Sequence, residues 1–167
     1  MDNKLVRIDN TRFIWKTNFS GDPDRDAFGN RKRQVSIIIP DVEQARDLID
    51  EGFNIRTTKP REDDGEEFVP DYYVKANINY DSDYPPKIYL VSGRNRPRLL
   101  DEESVGMLDK IRIENVRTVL SKYLSKRYGT KSLYVKTMYV EQGLEDDPFA
   151  SMYVRVDDRD PEEFDIF

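Results

Sequence analysis

Cysteine and histidine are both absent from the 167 residues. Without cysteine there are no disulfides and no thiolate metal sites, and without histidine the usual general base and the commonest zinc ligand are missing, which excludes His-dependent triads and zinc hydrolysis. Glycine is sparse: the eight present are scattered, and none falls into a phosphate-cradling or dinucleotide-binding spacing. No stretch approaches the roughly 20 apolar residues of a membrane span, and Met1-Asp2-Asn3-Lys4 opens no long apolar run, so a soluble, cytoplasmic protein with no membrane partner is expected. Asp22-x-Asp24-x-Asp26 resembles the start of a calcium loop. Ala27, however, stands where such a loop needs glycine, and Arg33 where it needs glutamate. The carboxylates fall mainly in runs rather than singly at strand ends, which disfavours a two-metal nuclease. The expectation is a non-enzyme with no cofactor and no metal.

What is abundant is charge, distributed unevenly. Acids outnumber bases by 33 to 27, net −6, and the pI is about 4.9. The final segment, Asp157–Phe167 (DDRDPEEFDIF), holds six carboxylates against Arg159 alone and ends on phenylalanine. Removing it leaves 26 bases against 27 acids; setting aside Glu62–Glu67 and Glu141–Asp147 as well leaves 26 against 18, net +8. The chain therefore reads as one moderately basic domain, 1–156, with a detachable acidic tail, 157–167. Such a tail cannot bury a core and should stay solvated and available to a partner. Its terminal ring beside a free carboxylate adds nothing to solubility but makes an end that a protein can grasp.

Ten Tyr, eight Phe and one Trp suit a sheet-rich domain. Strand patterns cover Lys4–Asp9, Arg12–Lys16, Arg33–Ile39, Phe53–Thr57, Asp71–Tyr80, Lys87–Val91 and Leu133–Val140. One helix follows Asp41: this residue caps it, Gln44 stands at the reciprocal position, and Val42, Ala45, Leu48 and Ile49 form its apolar stripe before Gly52. Gly93–Leu100 reads as a basic loop, Asp101–Asp109 as a short helix and Glu62–Glu67 as a solvated loop. Ile111–Arg127 fits helix or strand; its β-branched content and the turn chemistry of Tyr128-Gly129-Thr130-Lys131 favour strand. The expected fold is mainly β with minor helix: a small OB-fold-like β-barrel of five or more strands, with one bridging helix and room for an extended hairpin.

Three strands carry tyrosine and lysine two residues apart: Tyr73 with Lys75, Lys87 with Tyr89, and Tyr134 with Lys136. Residues at that spacing share a face, while the intervening Val74, Ile88 and Val135 point to the core. One such pair is ordinary on a solvated strand. Three of them, beside basic clusters at Arg31-Lys32-Arg33 and at Arg94, Arg96 and Arg98, place rings for stacking next to cations for phosphates. Arg12 and Lys16 near Trp15, and Arg25 near Phe28, extend the set, with Trp15 itself read as core.

The segments GNRKRQVSIIIPD, GFNIRTTKPRED, YYVKANINY, PPKIYLVS, LDEESVGMLDKIRIENV and YVKTMYV together resemble a family of OB-fold single-stranded-DNA-binding proteins from tailed phages and prophages. The resemblance implies a five-stranded barrel with Asp41–Glu51 as bridging helix, and leaves open which face binds. It implies a tail in which Asp157, Asp158, Asp160, Glu162, Glu163, Asp165 and Phe167 dock replication or recombination proteins and compete with DNA for the groove. A homodimer stays open. The rival expectation is an acidic DNA mimic inhibiting a host nucleic-acid enzyme, which would need carboxylates spread over a rigid face.

Overall fold

In the computed structural model, residues 4–26, 29, 31–59 and 69–143 are described. Alternation sets the strands. In RQVSIII, Val35, Ile37 and Ile39 turn inward, while Gln34 and Ser36 face out. The chain runs β1 (Leu5–Thr11), β2 (Phe13–Asn18), β3 (Arg33–Ile39), α1 (Val42–Glu51), β4 (Ile55–Thr57), β5 (Tyr72–Ile78), β6 (Lys87–Val91), β7 (Arg98–Leu100), β8 (Ile113–Leu124) and β9 (Lys131–Gln142), with 3-10 turns at Pro23–Arg25 and Val105–Lys110.

The strands form one mixed sheet in the order β1-β8-β9-β5-β3-β2, with β4 added to β5 and the β6–β7 pair added to β9. The two ends of this path, β1 and β2, are joined through Arg12 alone. The sheet, open in its pairing, thus returns on itself: the bent first segment pairs with β8 through its first half and with β3 through its second. Parallel pairing of β5 with β9 completes an OB-like fold. Ile8, Ile37, Leu120, Leu133 and Met138 are fully buried inside, and each aliphatic side chain so buried contributes roughly 1.5–3 kcal/mol.

Asp41 caps α1, its Oδ1 accepting from the Glu43 N–H at 3.0 Å and the Gln44 N–H at 3.4 Å. Gly52 ends it at φ 98°, a backbone state that favours glycine. Two expectations need correction here. Gln44 does not return to the cap; its Nε2 donates to the Arg7 carbonyl at 2.8 Å and fastens the helix to β1. Of the apolar stripe, only Ala45 and Leu48 are buried, whereas Val42 and Ile49 stay 45% and 43% exposed, because the helix rests on the barrel along a narrow face.

Further differences follow from pairing that sequence does not show. Arg98–Leu100, inside the expected basic loop, is a short edge strand on β6, with Leu100 opposite Ile88. The expected helix at Asp101–Asp109 is a 3-10 turn preceded by a reciprocal cap, in which Asp101 N–H donates to Ser104 Oγ and Ser104 donates twice to Asp101 Oδ1. The Ser104 hydroxyl, and then its N–H, hold the Asp101 carboxyl below the usual carboxylate range. Gly106 lies where a Cβ would come within 2.9 Å of Ser20 Cβ, so the turn packs closely on the end of β2. Within residues 111–127, Ile113–Leu124 is strand and 126–127 enter the turn, with β8 and β9 forming a hairpin of twelve residues a side.

Candidate nucleic-acid interface

The outer face of β2, β3, β4, β5 and the start of β9 is concave. Two adjoining hollows of about 380 and 610 Å³ share Gln34, Asn54 and Lys75, and together make one groove. Its walls carry Lys16, Arg25, Arg31, Lys32, Arg33, Arg56, Lys75 and Lys131 against three acids, Asp26, Asp81 and Glu102. Trp15, Tyr73, Tyr80 and Tyr134 are its rings, with Phe53 buried beneath. The floor is kept low by Ser36, which pairs with Lys75 on one side and with Ile14 on the other.

Trp15 overturns its expected place in the core: it is 65% exposed. Register explains why. Between Ile14↔Ser36 and Asn18↔Gln34, four steps of β2 oppose two of β3, and the surplus is ejected as a bulge with Trp15 at φ 63°. A bulky residue in that left-handed region is strained by roughly 1–2 kcal/mol. The ring on this strained backbone stands in the groove, edge-on to Tyr73 at 6.0 Å, and such strain persists where the surrounding structure over-determines it.

The groove's cations divide into two kinds. Arg25 belongs to the fold: its Nε donates to the Thr17 carbonyl at 2.8 Å and lies 3.5 Å from the carboxylate of Asp109, whose side chain is 2% exposed. Asp109 also accepts from Thr17 Oγ1 and from the N–H groups of Phe19 and Ser20, all within 2.9 Å. Arg33 donates to the Phe19 and Glu102 carbonyls and lies over the Tyr80 ring at 5.2 Å. Lys131 donates to the Glu51 carbonyl. Lys16, Arg31, Lys32, Arg56 and Lys75 are exposed, and their side chains have no ion pair or hydrogen bond to a described residue. Those five are available to phosphate. Arg56 escaped sequence analysis; the signal was its position one residue after Ile55, which pairs opposite Val74 and places Arg56 beside Tyr73.

The remaining sequence-derived residues lie elsewhere. Arg12 is 3.6 Å from Asp71, outside the groove. Lys87 and Tyr89 sit on β6 and Arg98 on β7, with Arg94 and Arg96 in the turn between them. Tyr89 is stacked on Tyr139 of β9 at 4.8 Å and 10°, and Arg117 of β8 lies over the Tyr139 ring at 5.0 Å. Lys136 is the extra residue of a second bulge: Val119 pairs with Thr137 and Leu120 with Val135. Tyr80, Asp101 and Glu102 stand between this face and the groove. Burial pushes the Tyr80 hydroxyl up to about 12, with Arg33 opposing the shift. The largest hollow, about 1120 Å³ beside α1, mixes Lys4, Arg7, Lys122 and Lys131 with Asp47, Asp50 and Glu51 and so has no dominant sign. Among the described residues, no group of acids could hold a metal ion, and no helix is long and apolar enough to cross a membrane. Phe28, Glu62–Glu67 and the tail acids with Phe167 lie outside the described residues.

An OB-like barrel whose groove interleaves unengaged cations with aromatic rings has the features of a single-stranded nucleic-acid binder. The chain belongs to the phage ssDNA-binding domain family, whose model matches residues 2–166. Among solved structures it is similar to the single-stranded DNA-binding protein from bacteriophage Enc34, at 11% identity over 85% of this chain and 83% of that one, with a TM-score of 0.47. No curated protein matches it.

Proposed function

We propose that the groove binds single-stranded DNA without sequence preference and without catalysis, in phage DNA replication or recombination. The observation that carries this reading is the set of five unengaged cations, Lys16, Arg31, Lys32, Arg56 and Lys75, beside Trp15, Tyr73 and Tyr134 on one concave face. Sequence tolerance is supported by two of the groove's amides. Gln34 Nε2 donates to Asn77 Oδ1 at 2.8 Å, so these side chains bond each other instead of presenting a free pair to base edges. Rings accept any base. In the same reading, residues 157–167 recruit replication or recombination proteins and compete with DNA for the groove. DNA mimicry is disfavoured, because the concave face has eight bases against three acids.

Fluorescence anisotropy with labelled oligo-dT tests the proposal. Five engaged phosphates would give a salt slope of about −3.5 in log K against log salt. Deleting residues 157–167 is expected to tighten binding. No binding at low salt, even by the shortened chain, sinks the whole reading; weaker binding after deletion sinks only the competition.

A further inference from the structure

The β8–β9 hairpin outruns the barrel. Its last pairing with β1 is Ser121↔Leu5, extended by the Lys122 N–H donating to the Lys4 carbonyl at 2.9 Å, and its first with β5 is Leu133↔Ala76, so residues 123–132 pair only with each other. The turn is closed by Ser125 N–H to the Thr130 carbonyl and Gly129 N–H to the Ser125 carbonyl, both at 2.8 Å. Residues 122–131 (KYLSKRYGTK) contain four cations and no acid; Lys122 and Lys131 bond to Glu51 at the base, and Lys126 and Arg127 are exposed at the tip. At the tip, Tyr128 is 70% exposed, with the Arg127 guanidinium over its ring at 5.2 Å. A stacked aromatic pair would bury this ring in the fold; here, among the described residues, only Arg127 lies over it. At the base, Tyr123 meets Tyr134 of the groove edge-on at 5.6 Å, so the groove and the hairpin form one surface.

A strand lying in the groove has no need of a cationic finger that ends in an open ring. A duplex end does match it: a flat terminal base pair flanked by two converging phosphate chains. We propose that the hairpin tip engages the junction where single-stranded DNA in the groove becomes duplex, with Tyr128 against the terminal base pair and Lys126 and Arg127 at the two backbones. The protein would then sit preferentially at duplex borders. This inference rests on the groove reading above.

The test compares full-length protein on three labelled DNAs: an oligo-dT strand, the same strand as an overhang on a duplex, and the blunt duplex. The overhang substrate is expected to bind about fivefold tighter than the free strand, the order one ring–base contact supplies. Tyr128→Ala should abolish that preference while free-strand affinity and thermal stability stay unchanged, since the ring packs on nothing in the barrel. Arg127→Glu should abolish it too. Equal affinity of the wild-type protein for strand and overhang, or a preference that survives both substitutions, overturns the hairpin's role and leaves the groove intact; loss of free-strand binding by the wild type would instead sink the groove.

Discussion

The groove of β2, β3 and β5 and the outer face of β6, β8 and β9 contain the same residue types, and the difference lies in what those residues already touch. Across β6, β9 and β8, Tyr89 and Tyr139 stack face to face and Arg117 lies over Tyr139. Such cross-strand contacts contribute roughly 0.2–1 kcal/mol each to the sheet. In the groove, Trp15 and Tyr73 meet edge-on, which leaves ring faces open, and five cations have no partner among the described residues. Composition marks both faces as basic and aromatic. Only engagement separates a surface built for stability from one able to bind.

The largest effect that could break this contrast is charge reversal. Lys75→Glu combined with Arg56→Glu removes two phosphate partners and installs repulsion beside Tyr73, so affinity for oligo-dT at low salt should fall by about a hundredfold, with a shallower salt slope. Lys87→Glu combined with Lys136→Glu should change it by less than about threefold, because the rings those cations flank, Tyr89 and Tyr139, are already stacked on each other. Comparable losses from the two pairs would show that DNA crosses the wall of Tyr80, Asp101 and Glu102 and uses both faces.

Much of this was legible before any coordinates. RQVSIII and the inward Val74, Ile88 and Val135 sit as their periodicity requires, because burial enforces alternation along a strand, whereas the helix keeps its Asp41 cap but buries only Ala45 and Leu48 of its stripe. The groove was half legible. Tyr73, Lys75, Tyr134, Arg31 and Lys32 do converge, yet Lys87 and Tyr89 obey the same local rule and fall on another face. Which strands become neighbours is fixed by long-range pairing, and no dipeptide spacing encodes it. Trp15 was misplaced for a related reason: a bulge shifts the inward and outward alternation, and its register is written partly in β3.

A smaller effect follows from that bulge. Trp15→Ala and Trp15→Gly should each weaken oligo-dT binding by about 1–3 kcal/mol, the range for one stacked base. Their stabilities should differ in the reverse of the usual order, with the glycine variant more stable by about 1 kcal/mol, because alanine keeps the left-handed strain at φ 63° and glycine removes it. Denaturant unfolding reads one property and anisotropy the other. An alanine variant at least as stable as the glycine variant would mean the backbone relaxes, and that Trp15 is not held in the groove by strain.

The smallest effect concerns the wall itself. The Tyr80 hydroxyl is buried with no hydrogen-bond partner among the described residues, so Tyr80→Phe deletes an unsatisfied group and keeps the ring beneath Arg33. At neutral pH the variant should match the wild type or exceed it by up to about 1 kcal/mol. The difference should then grow in alkali. Because the folded hydroxyl titrates near 12 rather than at 10.0, the unfolded chain releases this proton first as pH rises. The stability contribution is whole below the unfolded value and is lost between the two. Wild-type stability should therefore fall more steeply than that of Tyr80→Phe across this window, while DNA affinity at neutral pH stays the same in both. Urea unfolding at pH 8 and pH 11 measures the two slopes. A marked loss of stability in Tyr80→Phe at pH 8 would show that the hydroxyl is bonded after all and that the wall between the two faces is a polar link.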